Sequence, residues 1–187
     1  MAAKFMQLML TPAVQAAQEH FFGRHQSVAS APERDVFTAD EAAFIAGRDS
    51  FYLATTNSDG WPYIQHRGGP AGFLKVLGPH LLGFADFKGN RQMLTTGHLD
   101  LNDRVALFLM DYPNRDRLKI LGYARVLNAR EHPDIAAQLS PSPELADKIE
   151  RLFLIETVSF DWNCPQYITP RFTAEEWQSM AGGEPRV

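Results

Sequence analysis

The chain of 187 residues is poor in cysteine, in long apolar runs and in net charge. Its one cysteine, Cys164, excludes a disulfide within the chain and suits a reducing compartment, so a cytoplasmic location is expected. No apolar run reaches the roughly 18 residues that span a bilayer. The opening residues, MAAKFMQLMLTPAVQ, hold a short apolar stretch without a strongly basic start, so neither a signal peptide nor a membrane partner is expected. A formal net charge of -4 argues against nucleic acid as a partner. Also missing are a nucleophile elbow, a Walker loop and a CxxC pair. His20 and His25 stand five apart, which is not a ligand spacing on a helix, so no metal site is expected. Glu19, Glu41 and Glu156 have no evident acid–base partner. No internal repeat and no low-complexity tract is present.

What remains is ordinary globular material: 45% hydrophobic and 21% charged residues, enough for one domain with a buried core. The expected layout is a single domain over 1–187. It comprises an N-terminal helical extension (1–37), a barrel core (38–163) and a C-terminal segment with a helix (164–187). Pro12 opens a helix that closes at Gly23. Thr38, with Glu41 three residues on, forms a capping-box pattern before AAFIA.

After Ser50 the texture changes to β-formers. FYLATTN and WPYIQHR flank the turn signal SDG and read as a hairpin, with Asp59-Gly60 as turn chemistry. FLKVLGPHLLGFADF reads as strand, Gly-Pro turn, strand. NRQMLTTGHLDLN reads as a short helix. RVALFLMDY and RLKILGYARVLN form a second hairpin. Pro133 opens a helix through Leu139, SPSPELADKIE gives another, RLFLIETVSFDW is the last long strand, and TAEEWQSMAG closes as a helix. Six or seven strands joined by tight turns pair antiparallel, and no βαβ rhythm appears. The predicted fold is mainly β with flanking helices (α+β), as a six- or seven-stranded antiparallel barrel.

The stretch GFADFKGNRQ, residues 83 to 92, stands where a strand hands over to a helix. With Asn90 as N-cap, the free amides after it carry partial positive charge. Gly89 permits close approach, and Arg91 offers a planar donor fork. These features suit an anion site, although a capped surface helix with exposed cations is the plainer alternative. Other cations fall in two neighbouring segments: Arg67 and Lys75 around a glycine-rich break, then Arg115, Arg117 and Lys119. In the proposed hairpins Arg67 and Lys75 lie near the same end of the sheet.

The run FLKVL, LLGFADF, KGNRQ and LNDRVALFLMDY, in that order, resembles the FMN-binding split-barrel family typified by pyridoxamine 5'-phosphate oxidase. The resemblance covers roughly residues 38 to 163 and implies a split β-barrel of the FMN-binding type. It implies that Asn90 and Arg91 hold the phosphate of FMN and that Lys75 approaches the flavin or its phosphate. Gln92 stands where a lysine is common, and Ala85 and Asp86 where an aromatic or small residue and a threonine are usual. Arg117 is implied to reach across a homodimer interface in which the flavin lies between subunits. The DWNCPQ segment, Asp161 to Gln166, is similar to the ends of related chains and places Trp162 and Gln166 among the expected cofactor-binding residues. Trp162 and Tyr167 either stack near the isoalloxazine ring or fill the barrel end. Lys75 and Arg67 are candidates to stabilise the anionic reduced ring. His66 is either a flavin or substrate donor or a polar strand residue, and Cys164 either a redox thiol or inert.

The expected function is an FMN-dependent oxidoreductase acting on a small molecule, with NAD(P)H as a candidate electron donor. The true oxidase ends on an arginine-containing segment, whereas this chain ends on a helix, so oxidation of vitamin B6 is not expected. The alternative is a flavin- or haem-binding carrier or sensor without turnover.

Overall fold

The computed structural model describes residues 2–89, 91–162 and 165–181. Two helices precede the barrel: α1 (Ala3–Met9), which the sequence reading did not separate, and α2 (Pro12–Phe22). Thr11 caps α2 by accepting from the Val14 amide, and Gly23 ends it in the left-handed conformation that glycine tolerates best. α3 (Ala39–Ala46) starts with the anticipated capping box.

Seven strands follow: β1 (Ser50–Thr56), β2 (Pro62–Gly68), β3 (Lys75–Gly78), β4 (Leu81–Phe87), β5 (Arg104–Asp111), β6 (Asp116–Asn128) and β7 (Ile149–Trp162). Between them lie α4 (Leu94–Leu99), α5 (Pro133–Leu139) and a 3-10 turn at Pro143–Lys148, where an α-helix was expected. α6 (Ala174–Ala181) comes last. All pairings are antiparallel, in one sheet of order β2-β1-β5-β6-β7-β4-β3. β2 and β3 do not pair with each other, so the sheet curls without closing and makes a split barrel. No helix among the described residues is long and apolar enough to cross a membrane.

Strand alternation sorts the side chains. Phe51, Leu53, Leu107, Leu109, Leu118, Ile120, Phe84 and Phe153 point into the barrel and form its core. On β4 and β7 the opposite face is buried as well. There Ala85, Leu152 and Leu154 pack with Leu139 of α5. Strands covered on both sides read as continuous apolar runs, which explains LLGFADF and RLFLI. At Gly122 the β6–β7 register shifts, and a Cβ there would collide with the Glu156 carbonyl. Only glycine lets the two backbones meet at this bend.

Candidate functional site

Arg67 is the innermost charged residue of β2, sharing a face with Tyr63 and Gln65. Its guanidinium crosses the barrel opening to β4. Nη1 donates to Asp86 Oδ1 at 3.1 Å, and Nη2 donates to Thr95 Oγ1 of α4 at 3.1 Å. β2 and β4 are first and sixth in sheet order, so this contact exists only because the sheet curls. The pair therefore bridges the seam where backbone bonding is absent. Underneath, the same guanidinium lies 5.3 Å from the Phe153 ring centre and 5.8 Å from that of Phe84.

Asp86 has a second partner that sequence reasoning missed. Arg151, opposite Asp86 in the β4–β7 ladder, donates from Nε to Oδ2 at 2.8 Å. Its Nη1 also reaches Glu150 at 3.0 Å, on the solvent side. Asp86, Arg67 and Arg151 are all under 20% exposed in their side chains. The available signal was parity: Asp86 follows Leu82 and Phe84 on the inward face, so its charge required an inward cation.

These groups wall a cavity of about 100 Å³ that also touches Arg91, Gln92, Thr95 and Thr96. Arg91 and Met93 both adopt left-handed backbone, at φ 61° and 56°. Non-glycine residues hold this conformation at a cost of about 1–3 kcal/mol each, and such strain gathers at ligand sites. It also delays the helix. α4 starts at Leu94 with Met93 at its cap and no side-chain cap bond, which corrects the expectation of a helix capped by Asn90. Asn90 itself, and Cys164, lie outside the described residues. The cavity is thus a site of side chains rather than of a helix end.

The other expected residues separate from this group. Lys75 is cross-strand from Gly83, on the outer face of β4. Its Nζ donates to the carbonyls of Gln138 (2.8 Å) and Ser140 (3.2 Å) at the end of α5. That is a helix C-terminal cation, and the sheet stands between it and Arg67. The two residues do flank one break in sequence, but their faces are opposite, so the joint role expected of them is corrected. Trp162 lies eleven residues beyond Arg151 on β7, roughly 35 Å of strand at ~3.3 Å per residue. Its indole donates to Glu41 at 2.8 Å and meets the Phe44 ring edge-on, so within one chain it belongs to α3. Gln166 sits exposed in the turn after β7. Arg117 lies on the outward face of β6, 5.9 Å from the Phe108 ring centre, with a buried Nε that has no partner among the described residues.

Glu41 is the group near these residues with a shifted acidity. Burial alone favours its neutral form, but hydrogen bonds from Thr38 and Trp162 together outweigh it and hold its carboxyl below the usual range.

The cavity fits an anion on two grounds. Arg67 Nε is buried without a partner among the described residues, leaving a donor to be satisfied. Three guanidinium groups, of Arg67, Arg91 and Arg151, meet two carboxylates, Asp86 at the wall and Glu150 paired with Arg151, so one positive charge is in surplus. A phosphate monoester carries about -1.5 to -2 at neutral pH.

Solved structures share this architecture. A HupZ protein of Group A Streptococcus superposes with a TM-score of 0.53 at 12% identity, over 73% of this chain and 99% of that one. A conserved hypothetical protein of Mycobacterium tuberculosis does so with a TM-score of 0.52 at 16% identity, over 78% and 97%. No curated protein matches. The family model described as pyridoxamine 5'-phosphate oxidase matches residues 37–148, more than half of the chain. That span runs from the cap of α3 to the turn before β7 and takes in the strand–loop–helix unit that carries Asp86 and Arg91, and on these grounds the chain belongs to the pyridoxamine 5'-phosphate oxidase family.

Proposed function

We propose that the protein binds FMN at the barrel seam and acts as an FMN-dependent oxidoreductase on a small molecule. The observation that carries this reading is a cavity walled by Arg67, Arg91 and Arg151, with the buried Nε of Arg67 unpartnered among the described residues. Arg67 and Arg91 hold the phosphate, and Arg151 supports them through Asp86. Guanidinium forks suit phosphate oxygens, and a partly dry seam strengthens each charge-assisted bond. When bound, FMN supplies hydride and electron transfer, and the chain fixes its position. Lys75 is committed to α5 and takes no part.

A homodimer completes the site. Tyr52 and Ile64 are 41% and 65% exposed on the outer sheet face, in cross-strand rows that also contain Phe108 and Ala54. An apolar sheet face of this kind is a normal association surface. Arg117 stands on it with a buried Nε that has no partner among the described residues, which supports a role across the interface. The substrate is a small molecule.

Anaerobic addition of NADH or NADPH to the FMN-loaded protein tests turnover. Bleaching of the flavin bands, followed by reoxidation on adding an acceptor, supports an oxidoreductase. Reduction by dithionite alone supports a carrier or sensor.

A further inference from the structure

We infer that Asp86 is a positioning residue for a phosphate monoester in the seam cavity, holding Arg67 and Arg151 as one fixed pair. This rests on the reading of the cavity as the FMN phosphate site. A carboxylate in the wall of an anion site looks unfavourable, and simple charge counting says that its removal improves binding. The geometry points the other way. Asp86 Oδ1 takes Nη1 of Arg67 at 3.1 Å, while Oδ2 takes Nε of Arg151 at 2.8 Å. Each oxygen fixes one fork, and the two forks come from strands with no backbone bonds between them.

Thr95 Oγ1 takes a third arginine donor, Nη2 of Arg67, and the Phe153 ring supports the plane from 5.3 Å. With these contacts made, the buried Nε of Arg67 has no partner among the described residues. A free arginine side chain carries about 2 kcal/mol of rotamer entropy, so prior fixation favours binding. Asp86 also sets the charge. With it, and with Glu150 on Arg151, the three arginines keep one surplus positive charge for an anion. The cavity, about 100 Å³ and open to solvent, has room for the oxygens of a phosphoryl group.

The test uses the full chain stripped of ligand, with flavin fluorescence quenching as the binding signal and FMN and riboflavin as probes. Wild type is expected to bind FMN more tightly than riboflavin. Asp86→Asn is expected to weaken FMN about tenfold, the scale of one charged hydrogen bond, and to leave riboflavin unchanged. Equal or tighter FMN binding by Asp86→Asn overturns the inference, as does an equal loss for FMN and riboflavin. Should Asp86→Asn fail to fold, Arg151→Gln is expected to show the same FMN-specific loss, and unchanged FMN binding there is equally fatal. Wild type that binds no flavin removes the reading of the cavity itself, a result distinct from all of these.

Discussion

Asp86 on β4 and Arg67 on β2 are joined at 3.1 Å across a seam where the two strands share no backbone bonds. The side chains thus close what the sheet leaves open, and the cavity next to them inherits their charge. An opening in a barrel is where a ligand can enter without breaking a ladder, and the cations at this opening decide which ligand.

Among the described residues Arg91 is the cation of the cavity wall without an ion pair, and its backbone is held left-handed at φ 61°. Arg91→Ala is expected to weaken FMN by roughly 2 to 4 kcal/mol, the range for a charged hydrogen-bonded pair. Isothermal titration measures it, and an unchanged affinity removes Arg91 from the phosphate.

Lys75 gives the opposite expectation. Its ammonium holds two carbonyls at the end of α5. Lys75→Met is expected to leave FMN affinity unchanged while lowering stability by about 1 kcal/mol, or ~2–4 °C in Tm for a chain of this size. A loss of FMN affinity without a change in Tm would restore Lys75 to the cofactor.

The lowered acidity of Glu41 makes stability depend on pH in a definite direction. Its carboxylate is favoured in the folded state, so the stabilisation is present above the ordinary glutamate value of 4.5 and is lost as pH falls through the lower folded value. Thermal melts of wild type are therefore expected to drop in acid below that value. Glu41→Gln should show a shallower drop, and Trp162 emission should report the broken indole bond. Parallel acid profiles for the two proteins would show that Glu41 is not the linked group.

Ile64 is 65% exposed and contributes little to its own barrel. Ile64→Asp is expected to change the folding free energy of the subunit by no more than the ~0.5 kcal/mol typical of surface positions while shifting the protein toward monomer. Light scattering after size-exclusion chromatography reads the outcome. A wild-type monomer, or a variant that stays dimeric, would remove this face from the interface.

Much of the architecture was legible in the sequence because its signals are local. Thr38 and Glu41 announce α3, Asp59-Gly60 announces the first hairpin, and alternation in RVALFLMDY fixes the inward face. The site was only half legible. Arg67 and Arg91 stood out as cations beside glycine breaks. Arg151 did not, since a charge near the start of a long strand resembles an exposed one until Asp86 is seen opposite it. The placement of Lys75 was not legible because nearness in sequence says nothing of faces: one step along β3 separates Val76, which packs on the core, from Lys75 on the other side. That of Trp162 was not legible because a fourteen-residue strand carries its two ends to different parts of the barrel. The helix start was misplaced because left-handed Arg91 and Met93 leave no composition signal.

The most direct measurement of the central claim is the affinity of the ligand-stripped protein for FMN beside that for riboflavin, which lacks only the phosphate. FMN is expected to bind at least about 100-fold more tightly, a difference of ~2.7 kcal/mol for the charged contacts at the seam. Equal affinity for the two, or no flavin bound at all, would contradict a phosphate site built on Arg67, Asp86, Arg91 and Arg151.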